Sequence, residues 1–302
     1  MKISVWLMIV ALCLTGCKGI KEAPIEDINK GDVTIWCDVA FQYAMDQQVT
    51  LYQHFNEQAH VKMIYLQESE ILKRMMLGEV RTAILGRKLT DSEVKFLTQK
   101  DSLAPKQIIV ARDATALVVS KKFSQKYITV SQLQNVELQK NGWHLVFENQ
   151  QSGAVQQVLR SIGTARPGSE MFALKSANEV IDYVEKDDKA IGLIGFGVIA
   201  DEDHPYTVEV LRRINILGIE VSDSTGKITD TAASQGDMAA GIYPLQRPVN
   251  YVLCNSPARV ADGFVNYLAR QRAAKVFLKA GIVPAVMPER MVTISTGLEA
   301  KN

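Results

Sequence analysis

Three short segments place small or polar residues between a strand-like run and a helical pattern, where backbone amides can bind an anion. They are CDVAF (37–41), the pair Gly86-Arg87 and QSGA (151–154). A helix that follows a parallel strand presents unpaired N–H groups and about half a positive charge. An oxyanion placed there accepts several backbone hydrogen bonds. Ser152 adds a hydroxyl donor, and Arg87 adds a guanidinium that can bind two oxygens of one anion.

Each segment also has an explanation that needs no ligand. Serine is a preferred helix N-cap worth about 1 kcal/mol, so capping alone explains Ser152. Asp38 can cap its own helix, and Arg87 can pair on the surface with Asp91 or Glu93. No single segment therefore identifies a site. The stronger indication is that three segments of one kind occur in the chain.

The segments belong to a pattern of alternating strands and helices. Buried-strand runs at 32–37, 61–66 and 81–85 each precede a helical pattern, and the alternation resumes at HLVF (144–147) and AIGLIGFGVIA (190–200). Repeats of this length predict an α/β fold, with mostly parallel sheets flanked by helices.

Capping residues predict several helix starts. Ser69 predicts the start of a short helix that ends at Gly78. Thr90 with Glu93, and the segment SANE (176–179), have the spacing of a capping box.

Two long strand-like segments, 107–120 and 243–254, divide the pattern into two α/β halves. The two prolines in the second segment predict an edge or crossover position for it. If the chain leaves one lobe at the first segment and returns at the second, a ligand cleft lies between two discontinuous lobes. The predicted divisions are a signal peptide (1–16), a tether (17–31), lobe 1 (32–113 plus 250–302) and lobe 2 (114–249).

The N-terminus predicts export rather than folding. A positive Lys2 precedes an apolar run that is too short to span a membrane, and small residues precede Cys17. The ending LTGC resembles the lipobox of bacterial lipoproteins, which implies cleavage before Cys17 and a lipid on its sulfur. A simple secreted protein is the alternative. The expected location is the cell envelope, on the periplasmic or outer-membrane face.

Composition restricts the partners. The chain has 302 residues, 47% of them hydrophobic and 22% charged, with a net charge of +1, which argues against nucleic acid. The four histidines lie near no cluster with metal-ligand spacing, so we expect no metal and no cofactor. Cys37 and Cys254 either form a disulfide or remain buried thiols.

Several segments, in their order along the chain from about residue 31 to 290, resemble the phosphate-binding subunit of bacterial phosphate ABC importers. That family has the two-lobe type II periplasmic-binding-protein fold. The segments are GEVRTAILGRKLTDSE, ARDATALVVSKK followed by ITVSQL, SGAVQQVL, AIGLIGF, YPLQRPVNYV and FVNYLARQRAAKVFLKAGIVPA. YPLQRP and GIVPA are the most specific of them.

The resemblance implies a lipid-anchored receptor, expected to be a monomer, that captures phosphate or a related oxyanion between its lobes and delivers it to a membrane permease. It also implies a set of anion-binding residues drawn from both lobes. They are Ala40, Phe41, Ser69, Gly86, Arg87, Ser152, Gly153 and Ala154.

The chain departs from the family pattern at this set. Ala154 replaces a threonine, Glu148 replaces an arginine four residues before the family serine, and the usual aspartate after the third strand is replaced near Gly86 and Arg87. One hypothesis is a charge swap in which one arginine and one carboxylate remain with their lobes exchanged, so that Arg87→Ala would abolish anion binding. Loss of phosphate binding fits the same substitutions.

Two other functions compete with a transport receptor. A non-transport anion sensor or scaffold lipoprotein would explain the missing threonine and arginine. An esterase or phosphatase using Ser152 is disfavoured, because G-x-S-x-G is absent and no histidine matches a cleft position of the family. We therefore do not expect an enzyme.

Overall fold

The structure is a computed structural model. It describes residues 27–149, 152–164, 166–222, 224–255 and 259–288. The predicted signal peptide and Cys17 lie outside the described residues, as does most of the predicted tether. The end of that tether is attached to the fold, because the Tyr52 hydroxyl donates to the Ile28 carbonyl at 3.2 Å and Gly31 begins the first strand.

Thirteen strands and ten α-helices are found in the described part of the chain. The strands are β1 (Gly31–Asp38), β2 (Ala59–Leu66), β3 (Thr82–Leu85), β4 (Lys106–Ser120), β5 (Tyr127–Ile128), β6 (His144–Glu148), β7 (Met171–Leu174), β8 (Ala190–Gly195), β9 (Ile214–Ile216), β10 (Gly218–Ser222), β11 (Ile228–Thr231), β12 (Gln246–Leu253) and β13 (Val283–Pro284). The helices are α1 (Gln42–Phe55), α2 (Glu68–Leu77), α3 (Asp91–Asp101), α4 (Asn135–Asn141), α5 (Gly153–Ser161), α6 (Ala177–Lys186), α7 (Pro205–Arg213), α8 (Gln235–Ala239), α9 (Arg259–Leu268) and α10 (Gln271–Lys279).

The main sheet has the order β2-β1-β3-β12-β4-β8-β6-β7. Strands β1, β2 and β3 are parallel and form the first half-sheet, and β6, β7 and β8 are parallel and form the second. The antiparallel joins of this sheet lie at β12 and β4. The predicted α/β fold, with mostly parallel half-sheets, is confirmed.

Strand β4 connects the two half-sheets. Its residues 106–114 pair with β12, and its residues 115–119 pair with β8. Strand β4 is buried from Val110 to Ser120 except at the half-buried Arg112, as expected for a strand inside a sheet that is covered on both faces. The apolar core divides in a similar way: one buried cluster comprises residues between Ala114 and Leu245 together with Val283, and the others pack against the first half-sheet.

Strand β12 lies inside the sheet, between β3 and β4, and not at an edge. Of the two positions that its prolines predicted, the crossover is therefore the one found. Pro248 is opposite Arg112, close to the register shift between Val249 and Asn250 that interrupts the ladder.

Two of the helix starts predicted from capping residues are confirmed, and one is wrong. The capping box of Thr90 and Glu93 is confirmed, and so is the Ser176 cap. Ser69 is not an N-cap, because α2 begins one residue earlier, after Gln67. Residues 212–221 contain the end of α7, the short strand β9 and most of β10.

Cys37 and Cys254 are both buried free thiols, so the disulfide alternative is not found. Burial raises the pKa of each, which keeps both thiols protonated and unreactive near neutral pH.

Candidate functional site

Arg247 lies at the centre of the molecule, on β12, and only 2% of it is exposed. The antiparallel register places it directly opposite Asp113 of β4. One Asp113 oxygen accepts from Arg247 Nε at 3.0 Å and lies 2.9 Å from Arg247 Nη2. A guanidinium this deeply buried requires such a partner, since an unpaired charge there would cost several kcal/mol.

The turn after β1 supplies the second partner of Arg247. Asp38 Oδ2 lies 3.4 Å from Arg247 Nη1, and Asp38 Oδ1 accepts from the Ala40 N–H at 3.2 Å. The Phe41 ring packs under the guanidinium, with its centroid 4.6 Å from the Arg247 Cζ. The capping role of Asp38 is therefore found, and the N–H of the first predicted anion turn already has an internal acceptor.

Burial and ion pairing compete in setting the pKa values of Arg247 and Asp38. Burial lowers the pKa of Arg247, but the attraction of Asp113 and Asp38 outweighs it, so the pKa rises and Arg247 stays charged. Burial raises the pKa of Asp38, although the arginine opposes that rise. Asp38 gains less from Arg247 than desolvation takes away, and the charge of the nearby Asp113 raises its pKa further.

The turn after β3 is also occupied by a carboxylate of the chain itself. Glu68, in the first turn of α2, is 5% exposed, and its Oε2 accepts from the Gly86 N–H at 2.6 Å. Its Oε1 lies 3.5 Å from Arg87 Nε. Burial raises the pKa of Glu68, and the nearby Asp38 raises it further. The Gly86 amide therefore already binds an anionic group.

Arg87 points away from the centre and pairs with Glu93. Its two terminal nitrogens lie 2.8 and 2.7 Å from the two Glu93 oxygens. This bidentate pair is the surface alternative that the sequence left open. Arg87 and Glu148 line different cavities, so the structure does not bring the two swapped charges together.

Gly86 and Gly153 both lie against the Arg247 guanidinium. A Cβ at Gly153 would be 2.7 Å from Asp38 Oδ2 and 2.9 Å from Arg247 Nη1. A Cβ at Gly86 would be 2.7 Å from the same Nη1. All three distances are shorter than real Cβ contacts, so only glycine fits at either position without movement of the charged groups.

The turn after β6 differs from the other two. Ser152 occupies the N-cap position of α5, but its side chain makes no capping hydrogen bond. Asn149 turns the chain between the strand and the helix with a φ of +47°. Ser152 and Ala154 line a cavity, and the capping explanation for Ser152 is not supported.

Two cavities flank the central charges, and they divide the residues expected to bind the anion. The first cavity, of about 430 Å³, is lined by Ala40, Ser152 and Ala154, with Arg247 and Glu148. The second, of about 340 Å³, is lined by Ser69, Arg87 and Gly153, with Glu68 and Arg160. Phe41 and Gly86 line neither; they form part of the packing around Arg247 that separates the two.

Sequence reasoning missed three residues of this centre: Arg247, Asp113 and Glu68. Arg247 lies within the motif YPLQRP, which carries the family resemblance but does not by itself indicate a buried charge. Glu68 lies beside Ser69, but nothing local indicates that it reaches a turn 18 residues away. Only the register of β12 with β4 places Asp113 opposite Arg247.

Residues 23–272 match the family model of the PBP superfamily domain, so the match covers more than half of the chain. The chain belongs to this family. Proteins of the family are extracytoplasmic substrate-binding receptors, and it is not a family of enzymes. A comparison with curated proteins finds no match.

Several solved structures share the fold of this chain at low sequence identity, which confirms the predicted type II periplasmic-binding-protein fold. An ABC-type phosphate transport receptor from Vibrio cholerae is 16% identical with a TM-score of 0.65, and the match covers 84% of this chain and 100% of that one. PstS from Borrelia burgdorferi is 18% identical with a TM-score of 0.59, covering 84% and 99%. A Clostridium perfringens protein described as a phosphate ABC transporter substrate-binding protein, solved with bound phosphate, is 14% identical with a TM-score of 0.63, covering 85% and 100%.

Among the described residues, no helix is both long enough and apolar enough to cross a bilayer.

Proposed function

We propose that the protein is an extracytoplasmic solute-binding receptor that captures an oxyanion of the phosphate class and delivers it to an ABC importer. The observation that carries the proposal is the start of α5. There, the first turn of the helix borders a cavity of about 430 Å³ that the buried Arg247 also lines. The Ser152 hydroxyl makes no capping hydrogen bond and lines the same cavity. Helix N-termini bind oxyanions through backbone N–H groups and the helix dipole.

The family and the fold support a receptor. The solved relatives named above are phosphate receptors of ABC transporters, and one of them contains bound phosphate. The two predicted lobes, 32–113 with 250–302 and 114–249, would close on the ligand about β4 and β12. The division of the apolar core near Ala114 supports these boundaries.

Within the predicted set, the anion is best accommodated by Ser152 and Ala154, which line the first cavity at the start of α5. The N–H groups of Ala40 and Gly86 are engaged by Asp38 and Glu68, so an anion there would have to displace a carboxylate. The first cavity therefore fits an anion better than the second. Ser69, Arg87 and Gly153 line the second cavity and so lie outside this site.

The proposal includes attachment to the membrane through a lipid on Cys17 and a monomeric receptor without catalytic activity. Ser152 shares its cavity with His204, but the His204 Nδ1 accepts from the Tyr206 N–H and caps α7. We expect no hydrolysis of a chromogenic phosphate ester. We also expect Cys17→Ser to release the protein from the membrane fraction.

A thermal-shift and calorimetry screen of the protein expressed from Lys18 tests the function. The panel is phosphate, alkyl- and aminoalkylphosphonates, sulfate, arsenate and molybdate. A ligand at a hundred times its Kd should stabilise the fold by about 2.7 kcal/mol. For a chain of this size, that corresponds to a rise in Tm of roughly 4–5 °C. If no member of the panel raises the Tm, the receptor proposal fails and the sensor or scaffold alternative returns.

Two variants locate the anion. Ser152→Ala should weaken oxyanion binding about tenfold, because it removes one hydroxyl donor. Arg87→Ala should leave the affinity unchanged, since the guanidinium is committed to Glu93 in the other cavity. The reverse result would support the charge swap and contradict the placement in the first cavity.

A further inference from the structure

The first cavity is larger than a tetrahedral oxyanion requires. Its volume of about 430 Å³ lies in the range of small-organic-molecule sites, whereas a water molecule takes up about 30 Å³ of liquid. An anion held at the start of α5 therefore leaves most of the cavity for the rest of a ligand. Tyr43 of α1 and Tyr206 of α7 also line it, with exposures of 69% and 38%.

The lining of this cavity has little positive charge available to a ligand. The charge of Arg247 is already shared between Asp113 and Asp38. Lys279, at the end of α10, lines the cavity and has no ion-pair partner among the described residues. The N-terminus of α5 adds a partial positive charge, and the two together balance the charge of a single anionic group.

Negative charge is also present in the lining. Glu148 lines the same cavity, four residues before Ser152 in the sequence. In the part of the chain that the structure describes, no cation lies within ion-pair distance of it. Burial raises the pKa of Glu148, which means that desolvation of its carboxylate is incompletely compensated. Asp201 adds a second carboxylate to the lining.

We propose that the ligand carries a primary ammonium group a few bonds from its oxyanion, with the oxyanion at the Ser152 turn and the ammonium against Glu148. This inference rests on the proposed function and narrows its substrate class. Aminoalkylphosphonates and phosphate esters of short amino alcohols have this chemistry. The carboxylate supplies a charge-assisted hydrogen bond, and the faces of Tyr43 and Tyr206 can attract the cation.

Titration calorimetry with two ligands that differ only in the amine is the direct test. 2-Aminoethylphosphonate should bind about 10- to 100-fold more tightly than ethylphosphonate, the range of a charge-assisted hydrogen bond in a partly desolvated site. Inorganic phosphate serves as the third probe, and it should bind no better than ethylphosphonate.

Glu148→Gln tests the residue. Its affinity for 2-aminoethylphosphonate should fall to that for ethylphosphonate, and ethylphosphonate itself should bind as well as before or better, since a repelling charge is removed. The matched control is Glu209→Gln, which removes an exposed carboxylate of α7 that does not line the cavity. This control should retain the wild-type preference.

The outcomes separate this inference from the function on which it rests. Equal binding of the amine and non-amine ligands overturns the inference and leaves an oxyanion receptor standing. A preference for the amine that survives in Glu148→Gln also overturns it, because another group would then recognise the cation. If no ligand binds, the proposed function fails.

Discussion

The turn after β3 and the turn after β6 both follow a buried parallel strand, and both bring a glycine against the Arg247 guanidinium. They differ in the hydrogen bonds that their polar groups make. The Gly86 N–H donates to Glu68, a carboxylate of the chain itself, whereas the Ser152 hydroxyl makes no capping hydrogen bond and lines a cavity. The same local geometry thus binds a carboxylate of the chain itself at one turn and, in the proposed function, an external anion at the other. What decides between the two is whether a buried carboxylate from elsewhere in the fold reaches the turn.

The largest predicted effect comes from removing the Arg247 guanidinium, which lies against the glycines of both turns. Arg247→Ala leaves Asp38 and Asp113 buried without their cation, and it should lower the free energy of unfolding by about 3–5 kcal/mol. Urea denaturation measures the loss. Arg81→Ala, which removes a half-exposed pair with Asp101, should cost less than about 1 kcal/mol. Equal losses in the two variants would mean that the buried pairing of Arg247 stabilises the fold no more than the pair of Arg81 with Asp101 does.

The second effect concerns the two glycines. Gly86→Ala and Gly153→Ala should each destabilise the fold by about 1–3 kcal/mol, because the new methyl group overlaps the central charged side chains. Gly195→Ala is the matched control in the first cavity, since nothing lies within 4 Å of its added Cβ and its φ of −60° suits alanine. The control should be neutral or slightly stabilising. A tolerant Gly153 alongside a sensitive Gly86 would show that the turn after β6 is loosely packed.

A third, smaller effect should separate the turns by pH. The pKa of Glu68 is higher in the folded protein than in the unfolded chain, so the folded state holds the proton more tightly. Stability therefore falls as the pH rises from the unfolded value, about 4.3, through the folded value. In Glu68→Gln this fall should be reduced, leaving the part due to Asp38 and Glu148, whose pKa values are also raised.

Unfolding free energies measured at steps between pH 4 and pH 7 test this effect. Glu57→Gln, at an exposed position, should follow the wild-type profile. Parallel profiles for wild type and Glu68→Gln would contradict the assignment of a desolvated carboxylate to the turn after β3.

The smallest effect concerns two residues at N-cap positions. Thr90→Ala should cost about 1 kcal/mol, because the Thr90 side chain accepts from the Glu93 N–H within a complete capping box. Ser152→Ala should change the free energy of unfolding by less than about 0.5 kcal/mol, since its hydroxyl makes no capping bond. A loss of about 1 kcal/mol at Ser152 would mean that it is a helix cap in solution.

The sequence by itself determined the features that depend on neighbours within a few residues. The alternation of strands and helices follows from hydrophobic periodicity, and the Thr90–Glu93 capping box follows from two side chains three residues apart. The resemblance carried by YPLQRP and the other segments led to the family and the fold. These features require only local hydrogen bonds or a pattern along the chain.

Only the tertiary structure decided which turn remains open. Arg247 meets Asp113 and Asp38 across 134 and 209 residues of sequence, because β12 inserts between β3 and β4 in one particular register. Glu68 reaches Gly86 only once α2 has packed beside β3. A buried charge must be paired wherever the fold places it, and so the choice between a closed and an open turn depends on contacts that no local pattern records.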